Sequence, residues 1–174
     1  MRFFKKIFPV MFMVTFVFIF SSNAADVAKI GVVDIEKIIN ISNAGKAALA
    51  ELHKQGEKMK AELEKRKAEL EKMKKSLERQ AAVMSKEARE EKKRELQIKI
   101  YDLKNLTNKY NSEIKKSEKE KIIKLKKEVF NITREIGKKE GYLIIIEKSV
   151  AVYVPKTLDL TDKVIQEYNA GFKK

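Results

Sequence analysis

Between Pro9 and Pro155 the chain has no proline, and that gap sets what it can fold into. Proline removes an amide donor and clashes with the preceding turn, so its absence leaves very long helices open. Inside the gap, apolar residues recur at alternating steps of three and four. Leu49, Leu52, Gly56, Met59, Leu63, Arg66, Leu70, Met73, Leu77, Gln80 and Met84 mark such a seam, and eight of these eleven positions are apolar. Sustained over several heptads with Glu and Lys on the flanks, that pattern predicts a coiled-coil helix.

The seam is interrupted near QAAVMSKEAREE. Ser85 is a good helix N-cap and Glu87 falls in the first turn, where the helix dipole favours an anion. A reversal is therefore placed at residues 81–86. Beyond it a second seam runs through Leu96, Ile100, Leu103, Leu106 or Thr107, Tyr110 and Ile114, then Ile122, Leu125, Val129, Ile132 and Ile136. From Ile114 to Ile122 the spacing is two steps of four, so the heptad phase slips and the supercoil should relax there. Two seams of similar length joined by a tight turn predict an antiparallel helical hairpin over 44–136, projecting about 60 Å for an outgoing helix of roughly 40 residues.

The flanks read differently. A short strand is expected at 29–33, then a brief helix capped by Asp34 and carrying Ile35, Ile38 and Ile39, with Ser42 or Asn43 capping the helix after it. Gly137 and Gly141 are expected to end the returning helix. GYLIIIEKSVAVYVP then predicts strands at 142–147 and 150–154 around Lys148-Ser149. A final helix follows, with Asp159 as cap and Leu160, Val164 and Tyr168 as its apolar stripe. The fold class is α+β. Residues 25–43 and 137–174 form a body of only 57 residues, and a body that small is marginal alone. The run Leu143-Ile144-Ile145-Ile146 is apolar on both faces and needs cover on both. The expectation is an obligate oligomer whose core takes in Ile30, Val32, Leu143, Ile145, Val152 and Val154.

Residues 1–24 carry the pattern of a signal peptide. Arg2, Lys5 and Lys6 precede an apolar run from Ile7 to Phe20, and Ser22-Asn23-Ala24 supplies a small-x-small cleavage site. Export without a single cysteine points to a bacterial periplasm or cell surface. The formal net charge is +14, and it is concentrated between Ala44 and Ile136, where 27 Lys or Arg face 17 Asp or Glu. A hairpin this basic is expected to steer acidic proteins or anionic lipid surfaces toward itself. Met84 at the reversal and Lys115, Lys116, Lys119, Lys124 and Lys127 on the return helix are the candidate contacts for a bound partner.

Chemistry is sparse by comparison. His53 has no second histidine or cysteine to share a metal. Asn43-Ala44-Gly45-Lys46 superficially matches the end of a phosphate-binding loop, but residue 40 is Asn where the loop needs Gly, and Ala47 replaces its Ser or Thr. No enzyme, cofactor or metal is expected. Nucleic acid is not an expected partner either, since an export signal and the lack of a stacking platform argue against it.

IGVVDIEKIIN, NAGKAALAEL, MSKEAREEKKRELQ and the closing GYLIIIEKSVAVYVPKTLDLTDKVIQEYN, with its DLTDKVI ending, together resemble the Skp/OmpH family of periplasmic chaperones. That resemblance implies a jellyfish-shaped homotrimer. A small β-sheet body is shared by three chains, and three helical-hairpin arms enclose a cavity for unfolded outer-membrane proteins, held without ATP. Lipopolysaccharide binding proposed for one family member rests on basic residues that are not carried over to positions of this chain. The alternative is a structural coiled-coil scaffold of the envelope that binds a folded partner.

Overall fold

The computed structural model describes residues 28–172, so the expected signal peptide lies outside the described residues. Strand β1 (Ile30–Val33) leads through Asp34 into helix α1 (Ile35–Ile41), helix α2 (Asn43–Gln80) and helix α3 (Lys86–Glu140). Strand β2 (Ile144–Glu147), two short 3-10 turns (Lys148–Val150 and Lys156–Leu158) and helix α4 (Thr161–Gly171) complete the chain. Two long helices and a two-stranded sheet make a mostly helical molecule.

The helix boundaries follow from side-chain capping. Asp34 accepts the Lys37 amide (2.9 Å), Ser42 that of Gly45 (3.1 Å) and Ser85 that of Ala88 (3.2 Å), each satisfying an amide the first turn leaves free. Helix α3 stops at Gly141, whose φ of 70° is left-handed and favours glycine. Gly137 does not end the helix as expected. It is buried inside α3, where a side chain would press on Ile145 Cδ1 at 3.2 Å, so its smallness serves the approach of β2.

β1 and β2 pair in parallel, Ile30 beside Ile144 through Val33 beside Glu147, with the whole of α2 and α3 as the crossover. On the other edge of β1, Val32 bridges Asp159 and its carbonyl accepts the Leu160 amide at 2.8 Å. The strand expected at 150–154 does not form: residues 148–150 are a 3-10 turn and the chain beyond has no strand partner. Val150, Val152 and Tyr153 consequently stand exposed. Their β-branched and aromatic character gave the strand signal, but among the described residues this segment pairs with no strand, the free edge of β2 included.

The core sits at the root of the long helices. Ile35 and Ile38 of α1, Leu125, Val129 and Ile136 of α3, and Leu160, Val164 and Tyr168 at and in α4 close on one another, and Ile38, Val129 and Val164 have no exposed surface. Each such side chain contributes about 1.5–3 kcal/mol of burial. α1 crosses α2 so closely that a β-carbon on Gly45 would lie 1.6 Å from the Ile39 carbonyl oxygen. The segment Asp159-Leu160-Thr161-Asp162 stitches this root together. Asp159 accepts the Thr161 amide (2.9 Å), the buried Thr161 hydroxyl accepts the Asp34 amide (2.9 Å), and Asp162 accepts Lys37 Nζ (2.8 Å). Asp159 therefore supplies a capping bond, although α4 itself begins two residues later at Thr161.

Candidate functional site

Helices α2 and α3 touch along their length, and the α3 partner falls in number as the α2 residue rises. Glu51 meets Lys121 at 2.6 Å, and Glu62 accepts the Tyr110 hydroxyl at 2.5 Å. Near the turn, Arg89 donates to the Ala81 carbonyl at 2.5 Å. Between these, Leu70, Met73, Leu103 and Leu106 floor a cleft of about 410 Å³ walled by Arg66, Glu69, Lys99 and Asp102. The contacts are shallow. From residue 46 to residue 124 no residue is fully buried. The ion contacts still leave electrostatic marks: the Lys121 hydrogen bond holds the Glu51 carboxyl below its ordinary range, and the bond to Glu62 pushes the Tyr110 hydroxyl up.

The seam is not quite where the heptads place it. Leu49, Ile100 and Ile122, expected on it, are exposed. Half-buried Ala48 takes the place of Leu49, and on α3 the facing positions run Ile114, Ser117, Lys121, Leu125. From Ile114 the inward steps are three and four, so the slip expected between Ile114 and Ile122 does not occur there, and serine and lysine rather than Ile122 turn inward at the level of Glu51.

Turned away from this contact, each helix shows a continuous stripe at spacings of three and four. On α2 it holds Lys54, Lys58, Lys65, Lys72, Lys75 and Arg79, all exposed, with Ala61 and Ala68 between them. Lys54 to Arg79 spans about 37 Å. Among the described residues none of these six makes an ion pair, and no carboxylate interrupts the stripe. On α3 the stripe runs Tyr101, Asn105, Asn108, Ser112, Lys115, Lys119, Ile123, Lys126, Phe130, again without a carboxylate. Tyr101 is 64 %, Ile123 56 % and Phe130 50 % exposed, and Ile98 flanks them at 62 %. Large apolar groups thus stand in water among cations and neutral amides on one face of the helix.

The family model for OmpH-like outer membrane proteins matches residues 29–168. The chain belongs to the OmpH-like family. A search of curated proteins returns no significant match. Among solved structures the chain is similar to a protein of Caulobacter crescentus CB15 assigned as an OmpH-like outer membrane chaperone, with a TM-score of 0.80 at 18 % identity, over 84 % of this chain and 86 % of that one.

Within this OmpH-like chain the expected contact residues separate. Lys115 and Lys119 lie on the α3 stripe, while Lys116 is beside it and reaches Glu120 at 4.0 Å. Lys124 lines a cleft with Glu51 and Lys121 at the root of the helix pair, and Lys127 is exposed off the stripe. Met84 is half-buried at the turn. Ile98, Tyr101, Ile123 and Phe130 escaped the sequence reading, which spent its apolar residues on the seam. Testing the opposite face for the same spacing would have found them.

The residues expected at an oligomer core also divide. Val32 is buried in its own chain and Ile145 packs on its own core, with Val154 half-covered, whereas Ile30, Leu143 and Val152 are exposed. His53 is exposed, and among the described residues no cluster of side chains could hold a metal. Among them too, no helix is long and apolar enough to cross a membrane.

Proposed function

We propose that this OmpH-like chain is a periplasmic holdase chaperone that keeps unfolded outer-membrane proteins from aggregating, without ATP. In this reading α2 and α3 form an antiparallel hairpin arm over 44–136, and residues 25–43 with 137–174 form the body. The observation that carries it is the outward face of α3. An unfolded chain offers apolar side chains, unpaired backbone groups and, for an acidic client, negative charge. Ile123 and Phe130, Asn105 and Asn108, and Lys115 and Lys119 answer these in turn. Weak contacts of mixed kind hold a client without fixing its shape.

The body supports a homotrimer. Ile30, Leu143, Ile144, Val150, Val152 and Tyr153 stand in water, and the far edge of β2 has no neighbour among the described residues. An exposed edge of this kind is normally covered. Two further copies would cover it and set three arms around a cavity.

The test is dilution of a urea-denatured outer-membrane barrel protein into the purified chain, followed by light scattering. Suppressed aggregation is expected, and it should weaken in an Ile123→Glu, Phe130→Glu variant of unchanged fold. A barrel protein that aggregates as fast with the chain as without it would sink the reading and favour a scaffold that binds a folded partner. Static light scattering should give about three chain masses, and Val152→Asp should lower it without disturbing the chain's own core. The α2 stripe favours a second partner, an anionic lipid surface. Basic residues near such a surface are worth about 1 kcal/mol each, so binding to anionic vesicles should fade as salt is added.

A further inference from the structure

The described residues contain three methionines, Met59, Met73 and Met84, and the whole chain has no cysteine. All three are half-buried, and Met59 and Met73 lie on the α2 face against α3, with Met84 in the turn joining the helices. The body core contains no sulfur at all. We propose that these three thioethers are oxidative modification sites through which a peroxide loosens the helix pair while the body stays folded.

The chemistry needs only hydrogen peroxide. A sulfur lone pair attacks one peroxide oxygen and the O–O bond breaks. Sulfur gives up two electrons and becomes a sulfoxide, and the other oxygen takes the protons and leaves as water. With no thiol to compete, the thioethers are the sulfur that such an oxidant meets.

Access and consequence both follow from the geometry. Met73 lines the open cleft with Leu70, Leu103 and Leu106, so a small oxidant reaches it without unfolding. Its sulfoxide replaces an adaptable apolar group by a strongly polar one among three leucines. Because nothing between residues 46 and 124 is fully buried, the pair rests on many half-buried contacts and has no deep core to absorb the loss. Met59 and Met84 lie 14 and 11 residues to either side of Met73, so the lesions are spread over more than half of α2 and its turn rather than concentrated at one level.

The experiment treats the purified full-length protein with hydrogen peroxide, maps sulfoxides by peptide mass, and follows amide exchange by segment. Sulfoxide is expected at residues 59, 73 and 84 without denaturant. Exchange across 52–110 should quicken at least tenfold, amides around Ile38, Val129 and Val164 should be unchanged, and methionine sulfoxide reductase should restore the original rates. A Met59→Leu, Met73→Leu, Met84→Leu variant should exchange like the untreated protein whether or not peroxide is added, and Met73→Leu alone should be partly protected. Sulfoxides that form only in denaturant, sulfoxides that leave exchange unchanged, or a leucine variant loosened equally by peroxide would each overturn the proposal.

Discussion

The root of the molecule and its long helix pair are built from the same residue types and held in opposite ways. At the root, side chains from α1, α3 and α4 interlock until Ile38, Val129 and Val164 lose all contact with water. Along the pair, Leu63, Leu70, Leu103 and Leu106 remain half-covered, because two helices alone give each residue only one neighbour to lean on. The lesson is that burial here depends on the number of elements meeting at a point, since leucine and isoleucine serve both regions. Stability is then concentrated at one end, and the other end is free to open locally at low cost.

Substitutions at the root should test that contrast most severely. Gly45→Ala would drive a methyl into the Ile39 backbone carbonyl, which cannot swing aside as a side-chain tip would. We expect loss of the cooperative thermal transition, read by circular dichroism; a variant melting like the parent would mean the α1–α2 crossing is looser than described. Ile38→Ala should cost about 2–5 kcal/mol by chemical denaturation. The comparable change in the pair, Leu103→Ala, should cost about 1 kcal/mol, since its side chain is already partly open to water. Equal losses at the two sites would erase the distinction between the regions.

The long helices were legible because their signals are local: Ser42 and Ser85 cap where their hydroxyls predict, and Gly141 ends α3 in the conformation glycine favours. So were α1 and the stripe of Leu160, Val164 and Tyr168, each amphipathic on its own. The strand at 150–154 failed because a strand needs an edge to pair with, and the apolar pattern does not say whether the segment reaches one. Parallel pairing of β1 with β2 joins residues more than a hundred positions apart, beyond any periodicity. The outward face of α3 was half legible. Charge singled out Lys115 and Lys119, but the apolar partners Ile123 and Phe130 emerge only once the inward face of α3 is known.

A smaller effect of opposite sign is expected at Gly56. It sits in mid-helix facing α3, where an added β-carbon would meet Ile114 Cδ1 at an ordinary 4.0 Å. Glycine there costs helix stability without relieving a clash. Gly56→Ala should therefore stabilise the pair by up to about 1 kcal/mol, slowing amide exchange in 50–62 and leaving the root untouched. Exchange that slows equally at Val129 would show the two regions to be one cooperative unit.

The smallest effect separates the regions by pH. Burial alone would push the Asp159 carboxyl up, but the Thr161 hydroxyl and amide and the Lys148 ammonium at 3.0 Å outweigh it and hold the group below its ordinary value. A carboxylate depressed on folding contributes stability that is fully present above its unfolded pKa and is lost as pH falls through the folded value. Acidification below about pH 4 should thus weaken the joint between β1 and α4. Asp159→Asn keeps an oxygen for the Thr161 amide yet cannot titrate, so its urea midpoint should start lower at neutral pH and converge with the parent in acid. Glu64 and Glu90 on the helix pair are depressed as well, by Lys67 and Lys93, but those pairs stand in open solvent. Salt should flatten their contribution while leaving more of that of Asp159, whose carboxyl is partly sheltered. If salt removes both alike, the joint at Asp159 is as wet as the helix pair, and the contrast in burial does not extend to charge.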